Sequence, residues 1–268
     1  MSNANLVYED LVGRGRRLGT AKQWSVTIER FERCCGVRDS YDRSDVVKFV
    51  AELRRDGVSQ NSINTLIKPV KLLCKIQHWK DGFPRLDMAR VRESDISRPW
   101  LSVGDVKYII RRAKEVCSER EVAFLAVATT YGLRRKEVGT VEIIGGNVKV
   151  YTLKGGEVTT QLIPDEIKDF IKGYRRCDSP GSMSAVFRSI IDKVGIGIGV
   201  GFGWDSIRRG LTTELALRDV SLLNIARFMR WSAASLRKEV GMLAIYTVRE
   251  QAEVDKSIFK VHPFLPFW

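Results

Sequence analysis

WDSIRRGLTTELALRDVSLLNIARFMRWSAASLRKEVGMLAIYTV, residues 204–248, decides how the rest of the chain is read. An arginine pair, Arg208 and Arg209, opens an amphipathic helix. Asp219-Val220-Ser221 makes a turn, and a second apolar-periodic helix ends at Met229-Arg230-Trp231-Ser232. A lone tyrosine, Tyr246, comes after it, and no other tyrosine lies downstream of Arg208. Each piece is unspecific alone; the order is not.

Working upstream, an almost wholly apolar helix over 122–130 runs into Thr130-Tyr131-Gly132-Leu133-Arg134-Arg135-Lys136-Glu137-Val138. Glycine permits a tight turn, an arginine follows, and Glu137 stands where it can brace Arg134 from the next helix. A plain surface cluster of Arg134, Arg135 and Lys136 at a helix start is the alternative. The periodicity then switches from helix to strand. Residues 141–144 and 149–153 flank Gly145-Gly146-Asn147, a hairpin turn signal, and 158–163 follow Lys154-Gly155-Gly156-Glu157. This predicts a three-stranded antiparallel meander with Lys154 at its second turn, although a lysine beside Gly-Gly is common in any hairpin. A short helix over 165–174, a polar loop and a helix over 184–193 come next. Residues 195–203 hold five glycines and read as a mobile approach to the opening stretch.

The succession of Gly132-Leu133-Arg134, hairpin Lys154, helix-borne Arg208, turn, helix, small-residue corner and Tyr246 resembles the catalytic end of the tyrosine recombinases, the phage-integrase family, as a divergent member. The resemblance implies a mainly α chain with a small antiparallel β-meander (α+β), built as a two-domain C-shaped clamp. Tyr246 would attack a DNA phosphate, leaving a 3′-phosphotyrosine and a free 5′-hydroxyl. Lys154 would be general acid for the leaving 5′-oxygen, since a desolvated ammonium gives up its proton. Arg134, Arg208 and Trp231 would stabilise the charge on the phosphoryl transition state, with Glu137, Asp205 and Arg209 as accessory residues. The resemblance implies no cofactor, neither metal nor ATP, because the covalent link retains the phosphodiester's energy. It implies double-stranded DNA as partner, with the chain a homo-oligomer, dimer on a site and tetramer in synapsis. The setting would be intracellular, with DNA.

Two features depart from the family pattern, Asp205 and the spacing before Tyr246, while Trp231 fits a position that is usually histidine but tryptophan in some members. Asp205 stands three residues before Arg208, where the family has a histidine or lysine. An ionised carboxylate cannot donate to a phosphate, so Asp205 is expected to cap the helix, with Arg209 or another segment supplying the donor. Trp231 takes a place usually held by histidine; its indole N–H can position a phosphate but not shuttle protons, and core filling is its other reading. Tyr246 comes late after Trp231, with residues 237–242 looking inserted. Either the loop is longer here or the tyrosine role is lost. Three functions fit: an active site-specific recombinase, a catalytically inactive DNA-binding descendant, or a type IB topoisomerase-like nicking-closing enzyme.

The remainder of the chain agrees with a nucleic-acid reading without fixing it. Among 268 residues the formal charge is +13, with +6 on residues 1–98 and +7 on 99–268. Such a balance suits DNA gripped from two sides, and equally RNA or anionic lipid. Five cysteines without a CxxC and only two histidines, His78 and His262, argue for reduced thiols and against a histidine metal centre. No apolar run reaches membrane-spanning length. Residues 1–19, carrying Arg14, Arg16 and Arg17, read as a flexible basic arm. Three or four short helices follow across 20–88, which resemble the family's DNA-binding, core-binding domain and equally fit any small helical bundle. Pro69 is expected to kink the third or split it. Residues 89–98 are the expected linker, 99–253 the catalytic domain with Ser102 as an N-cap, and 254–268 a tail that contacts a neighbouring protomer or covers its own core.

Overall fold

Side-chain caps set where the helices begin. Ser2, Asp42, Ser59, Ser102, Ser118, Ser179 and Ser221 each accept a hydrogen bond from a first-turn N–H of the helix that follows. The computed structural model describes residues 2–86, 99–152, 158–177, 179–199, 201–231 and 250–268. The chain divides into two compact units, residues 1–97 and 98–268.

The first unit is helical: α1 (Asn3–Gly13), α2 (Leu18–Cys35), α3 (Arg43–Arg55) and α4 (Gln60–Ile76). Phe31 sits at its centre, 4.7 Å from the ring of Tyr41 and 5.3 Å from that of Phe49, all buried. Two expectations need correcting. Residues 3–13 are not a flexible arm. Ala4, Val7 and Leu11 share one helical face and bury it against the bundle, so α1 forms despite its polar neighbours. Arg14, Arg16 and Arg17 lie in the turn that joins α1 to α2. α4 runs through Pro69 as one helix. Burial of Ile63, Ile67, Val70, Leu73 and Cys74 outweighs the single backbone hydrogen bond that proline forfeits.

In the second unit α5 (Val103–Val116) and α6 (Glu119–Tyr131) are followed by α7 (Arg135–Val138) and strands β1 (Glu142–Ile144), β2 (Asn147–Tyr151) and β3 (Val158–Leu162). α8 (Pro180–Val194), α9 (Trp204–Leu217), α10 (Leu222–Phe228) and α11 (Gln251–Phe259) complete it. α6 is the hub, buried at every position from Val122 to Tyr131, which is why its sequence lacks an amphipathic stripe. The sheet is the expected antiparallel meander in the order β1-β2-β3. Ile144 pairs with Asn147, so Gly145 (φ 53°) and Gly146 (φ 79°) form a two-residue turn of the left-handed type that matches strand twist. Val148 and Val150 face the core while their neighbours in β2 are less buried.

Two local readings differ from the sequence expectation, and the position of the tail, left open by the sequence, takes one of its two expected forms. Residues 165–174 hold two short 3₁₀ turns in place of one helix. Gly173 is packed so tightly that a Cβ would stand 2.8 Å from the carbonyl oxygen of Glu119, which fixes where this segment lies. The glycine-rich approach is pinned to the core through Ile196, Ile198 and Phe202. The tail covers its own unit. Phe264 and Leu265 are buried, and Trp268 donates from Nε1 to Thr129 Oγ1 at 3.1 Å. His262, also buried, donates from Nε2 to Thr130 O at 3.0 Å and accepts at Nδ1 from the N–H groups of Phe264 and Leu265. Among the described residues no helix is long and apolar enough to cross a membrane.

Candidate active site

The site begins where α6 ends. Gly132 closes the helix with φ 55°, a left-handed conformation that favours glycine, and a Cβ there would stand 2.8 Å from Met229 Sδ. The turn sends Leu133 into the core and leaves Arg134 at the head of α7. Arg134 is held twice by one residue. Its N–H donates to Glu137 Oε2 at 2.9 Å and its guanidinium to Oε1 at 3.0 Å. Glu137 is wholly buried, whereas the Arg134 side chain stays 30 % exposed, so the carboxylate anchors a guanidinium that still faces solvent. The bracing expected from the spacing of these two residues is therefore present.

Arg208 arrives from the second turn of α9. Only 7 % exposed, it donates from Nη1 to Gly132 O at 2.6 Å and from Nη2 to Met229 O. Two backbone carbonyls thus aim its fork, and both belong to segments that border the site. α9 comes this close to the rest of the unit because Gly210 carries no side chain: a Cβ would meet Leu101 O at 2.2 Å. Burial pushes the Arg208 pKa down to about 9, and the charges of Arg230 and Arg134 push the same way. Even so, the guanidinium is protonated at neutral pH.

Arg134, Arg208 and Trp231 line one cavity of about 580 Å³, together with Trp100, Asp205, Arg209, Thr212 and Thr213. Three of the five principal residues singled out from the sequence are thereby brought together, from the head of α7, from α9 and from beyond the end of α10. Lys154 and Tyr246 lie outside the described residues. Asp205 lines the cavity but does not cap α9. It is the second residue of that helix, and the capping contact is made by Ser206, whose Oγ accepts from the Gly203 N–H at 3.2 Å. Arg209 is committed elsewhere, donating from Nε to Pro99 O at 2.8 Å and from Nη2 to Ser206 Oγ at 3.0 Å. It contributes charge to the cavity wall and ties α9 to the segment entering the unit.

Trp100, Thr212 and Thr213 in the lining were not singled out from the sequence, and neither was Arg230 among its surroundings. Arg230 is fully buried behind the cavity, and burial lowers its pKa to about 10. Its Nη2 lies 3.9 Å from Glu137 Oε2, so one carboxylate serves two arginines. The available signal was a charged residue set between Met229 and Trp231, the second arginine after Arg227 in an otherwise apolar run from Ile225 to Trp231. Chemically, the cavity presents guanidinium groups and indole rings, with the Asp205 carboxylate as the opposing charge in its lining, and guanidinium forks of this kind can meet an oxyanion through paired hydrogen bonds.

No protein-family model matches the chain, and no curated protein matches it in sequence. Solved structures do match in shape. A lambda integrase dimer bound to a COC′ core site superposes with a TM-score of 0.67 at 13% identity, covering 92% of this chain and 78% of that one. A lambda integrase (75–356) dimer bound to the same kind of site gives 0.65 at 14% identity, covering 93% and 99%. XerH site-specific recombinase bound to a difH substrate gives 0.58 at 11% identity, covering 87% and 79%. Across nearly its whole length, and with few identical residues, this chain has the fold of the tyrosine recombinases.

Proposed function

We propose that the protein is a site-specific DNA recombinase or integrase that cuts and rejoins DNA through a 3′-phosphotyrosyl intermediate. The observation that carries this reading is the convergence of Arg134, Arg208 and Trp231 on one cavity in a chain of this fold. The two arginines bind the non-bridging oxygens of a DNA phosphate and offset the charge that grows there as a fifth oxygen approaches. The Trp231 indole orients the phosphate. Tyr246 supplies the attacking oxygen: its O–P bond forms as the bond to the 5′-oxygen breaks, and Lys154 protonates that oxygen. Reversal of the same exchange rejoins the strands. The lambda integrase and XerH structures are complexes with DNA, which supports the same partner here. Both units are basic, in accord with a clamp on DNA, and the lambda integrase dimers on their core sites support assembly of copies of this chain on paired sites.

A second reading, an inactive DNA-binding descendant, is favoured by one feature: Asp205 lines the cavity and repels a phosphate. Nicked duplexes that lose a short fragment on cleavage, run on a denaturing gel, separate the two. The recombinase reading expects a covalent protein–DNA adduct; a shift on native gels alone supports the inactive binder. Joint products from two sites, as opposed to relaxation of one supercoiled circle, separate a recombinase from a topoisomerase-like enzyme.

A further inference from the structure

Arg230 breaks two ordinary rules at once. It has φ 56°, the left-handed region that non-glycine residues seldom adopt, and its side chain is 1 % exposed. A strained backbone carrying a buried charge persists only where the surroundings over-determine it. Here they do. Nη2 donates to Tyr131 O at 2.8 Å, and Nη1 donates to Phe228 O at 2.9 Å and to Gln161 Oε1. Nε is buried with no hydrogen-bond partner, so the group is fixed by its fork and by the nearby carboxylate.

All but the Gln161 contact touch a segment that delivers a cavity residue. Tyr131 precedes Gly132, whose carbonyl oxygen receives Arg208, and Gly132 leads into Arg134. Phe228 precedes Met229, whose carbonyl oxygen is the other acceptor for Arg208. Glu137, beside Nη2, holds Arg134 at two points. Trp231 is the next residue in the chain, and its direction follows from the left-handed turn at Arg230. Gln161 ties the same guanidinium to β3, where it also donates to Asp255 Oδ1 at 3.2 Å.

We propose that Arg230 is a positioning residue for the phosphate pocket: it keeps Arg134, Arg208 and Trp231 in register without lining the cavity itself. This rests on the reading of that cavity as a phosphate site. Arg230 joins the ends of α6 and α10 and the start of α7 at one planar group, an arrangement that a flexible ammonium cannot reproduce.

The test uses the full-length chain and inorganic phosphate as probe. R230K keeps the charge and loses the fork; R230G suits the backbone and removes the side chain. Three quantities are read for each: the thermal midpoint, phosphate affinity by calorimetry, and the ¹⁵N–¹H guanidinium signals of Arg134 and Arg208. The expected result is that folded R230K binds phosphate at least about tenfold more weakly than the parent, with both guanidinium signals displaced. A lowered midpoint with affinity within about twofold and unmoved signals would make Arg230 a structural residue only and overturn the proposal. If R230K fails to fold, R230G is judged by the same criteria. R208A is the control for the underlying reading. Phosphate binding in the parent that R208A leaves intact defeats the phosphate site, while the guanidinium signals still decide whether Arg230 positions its neighbours.

Discussion

Glutamate 137 is the most exposed weakness of the site as described, and Glu137→Gln tests it. The carboxylate is wholly buried, 3.0 Å from Arg134 Nη1 and 3.9 Å from Arg230 Nη2. Glutamine preserves shape and one acceptor oxygen but removes the charge, leaving the guanidinium groups of Arg134, Arg208 and Arg230 without that buried counter-charge. Removing one partner of a buried ion pair costs about 3–5 kcal/mol. Because Arg134 is 30 % exposed and keeps part of its hydration, the lower end applies, about 3 kcal/mol. Urea unfolding of the 98–268 unit, followed by tryptophan fluorescence, reads this loss. Phosphate added to the buffer should then stabilise the variant more than the parent, because an anion in the cavity replaces part of the missing charge. A loss under about 1 kcal/mol, together with no differential effect of phosphate, would refute the view that Glu137 holds the arginine cluster together.

Two further substitutions follow from the same geometry. Gly132→Ala places a Cβ 2.8 Å from Met229 Sδ at φ 55°, so a loss of about 2–3 kcal/mol is expected, with weaker phosphate binding as Arg208 loses its aligned acceptor; unchanged melting would contradict the close approach. His262 is neutral in the fold because burial holds its pKa at about 3, while the unfolded value is about 6.5. Between those pH values the unfolded chain binds a proton that the folded one does not. The contribution is therefore complete above about pH 6.5 and falls as pH is lowered towards 3, by about 2 kcal/mol at pH 5. His262→Gln should flatten the slope between pH 7 and pH 5 measured by urea midpoints; an unaltered slope assigns the acid sensitivity to other groups.

Much of the architecture was legible in the sequence, and the exceptions have physical causes. The cap at Ser102 and the Gly145-Gly146 turn act within a few residues, so local chemistry specified them. Arg134, Glu137, Arg208 and Trp231 were legible through an order of motifs that resembles the tyrosine recombinases, and the fold brings Arg134, Arg208 and Trp231 to one cavity, with Glu137 bonded to Arg134. By contrast, α1 depends on packing against α2, and α4 survives Pro69 through tertiary burial. Local propensity reports neither. Asp205 looked like a cap because capping favours aspartate, yet Ser206 makes the contact, and helix register decides such cases by one residue. Arg230 was hidden for a different reason. An arginine followed by a tryptophan reads as surface charge, and only the convergence of Tyr131, Phe228, Glu137 and Gln161 around it shows that it is buried.

The central claim is that this chain forms a covalent bond to DNA through one tyrosine. Its most direct measurement is mass spectrometry of the protein trapped on a nicked duplex, digested to leave the modified peptide. The account predicts a nucleotide adduct on Tyr246, absent from Tyr246→Phe although that variant still binds the duplex, and strongly reduced in Arg208→Ala. An adduct on another residue, or one that persists in Tyr246→Phe, would contradict it.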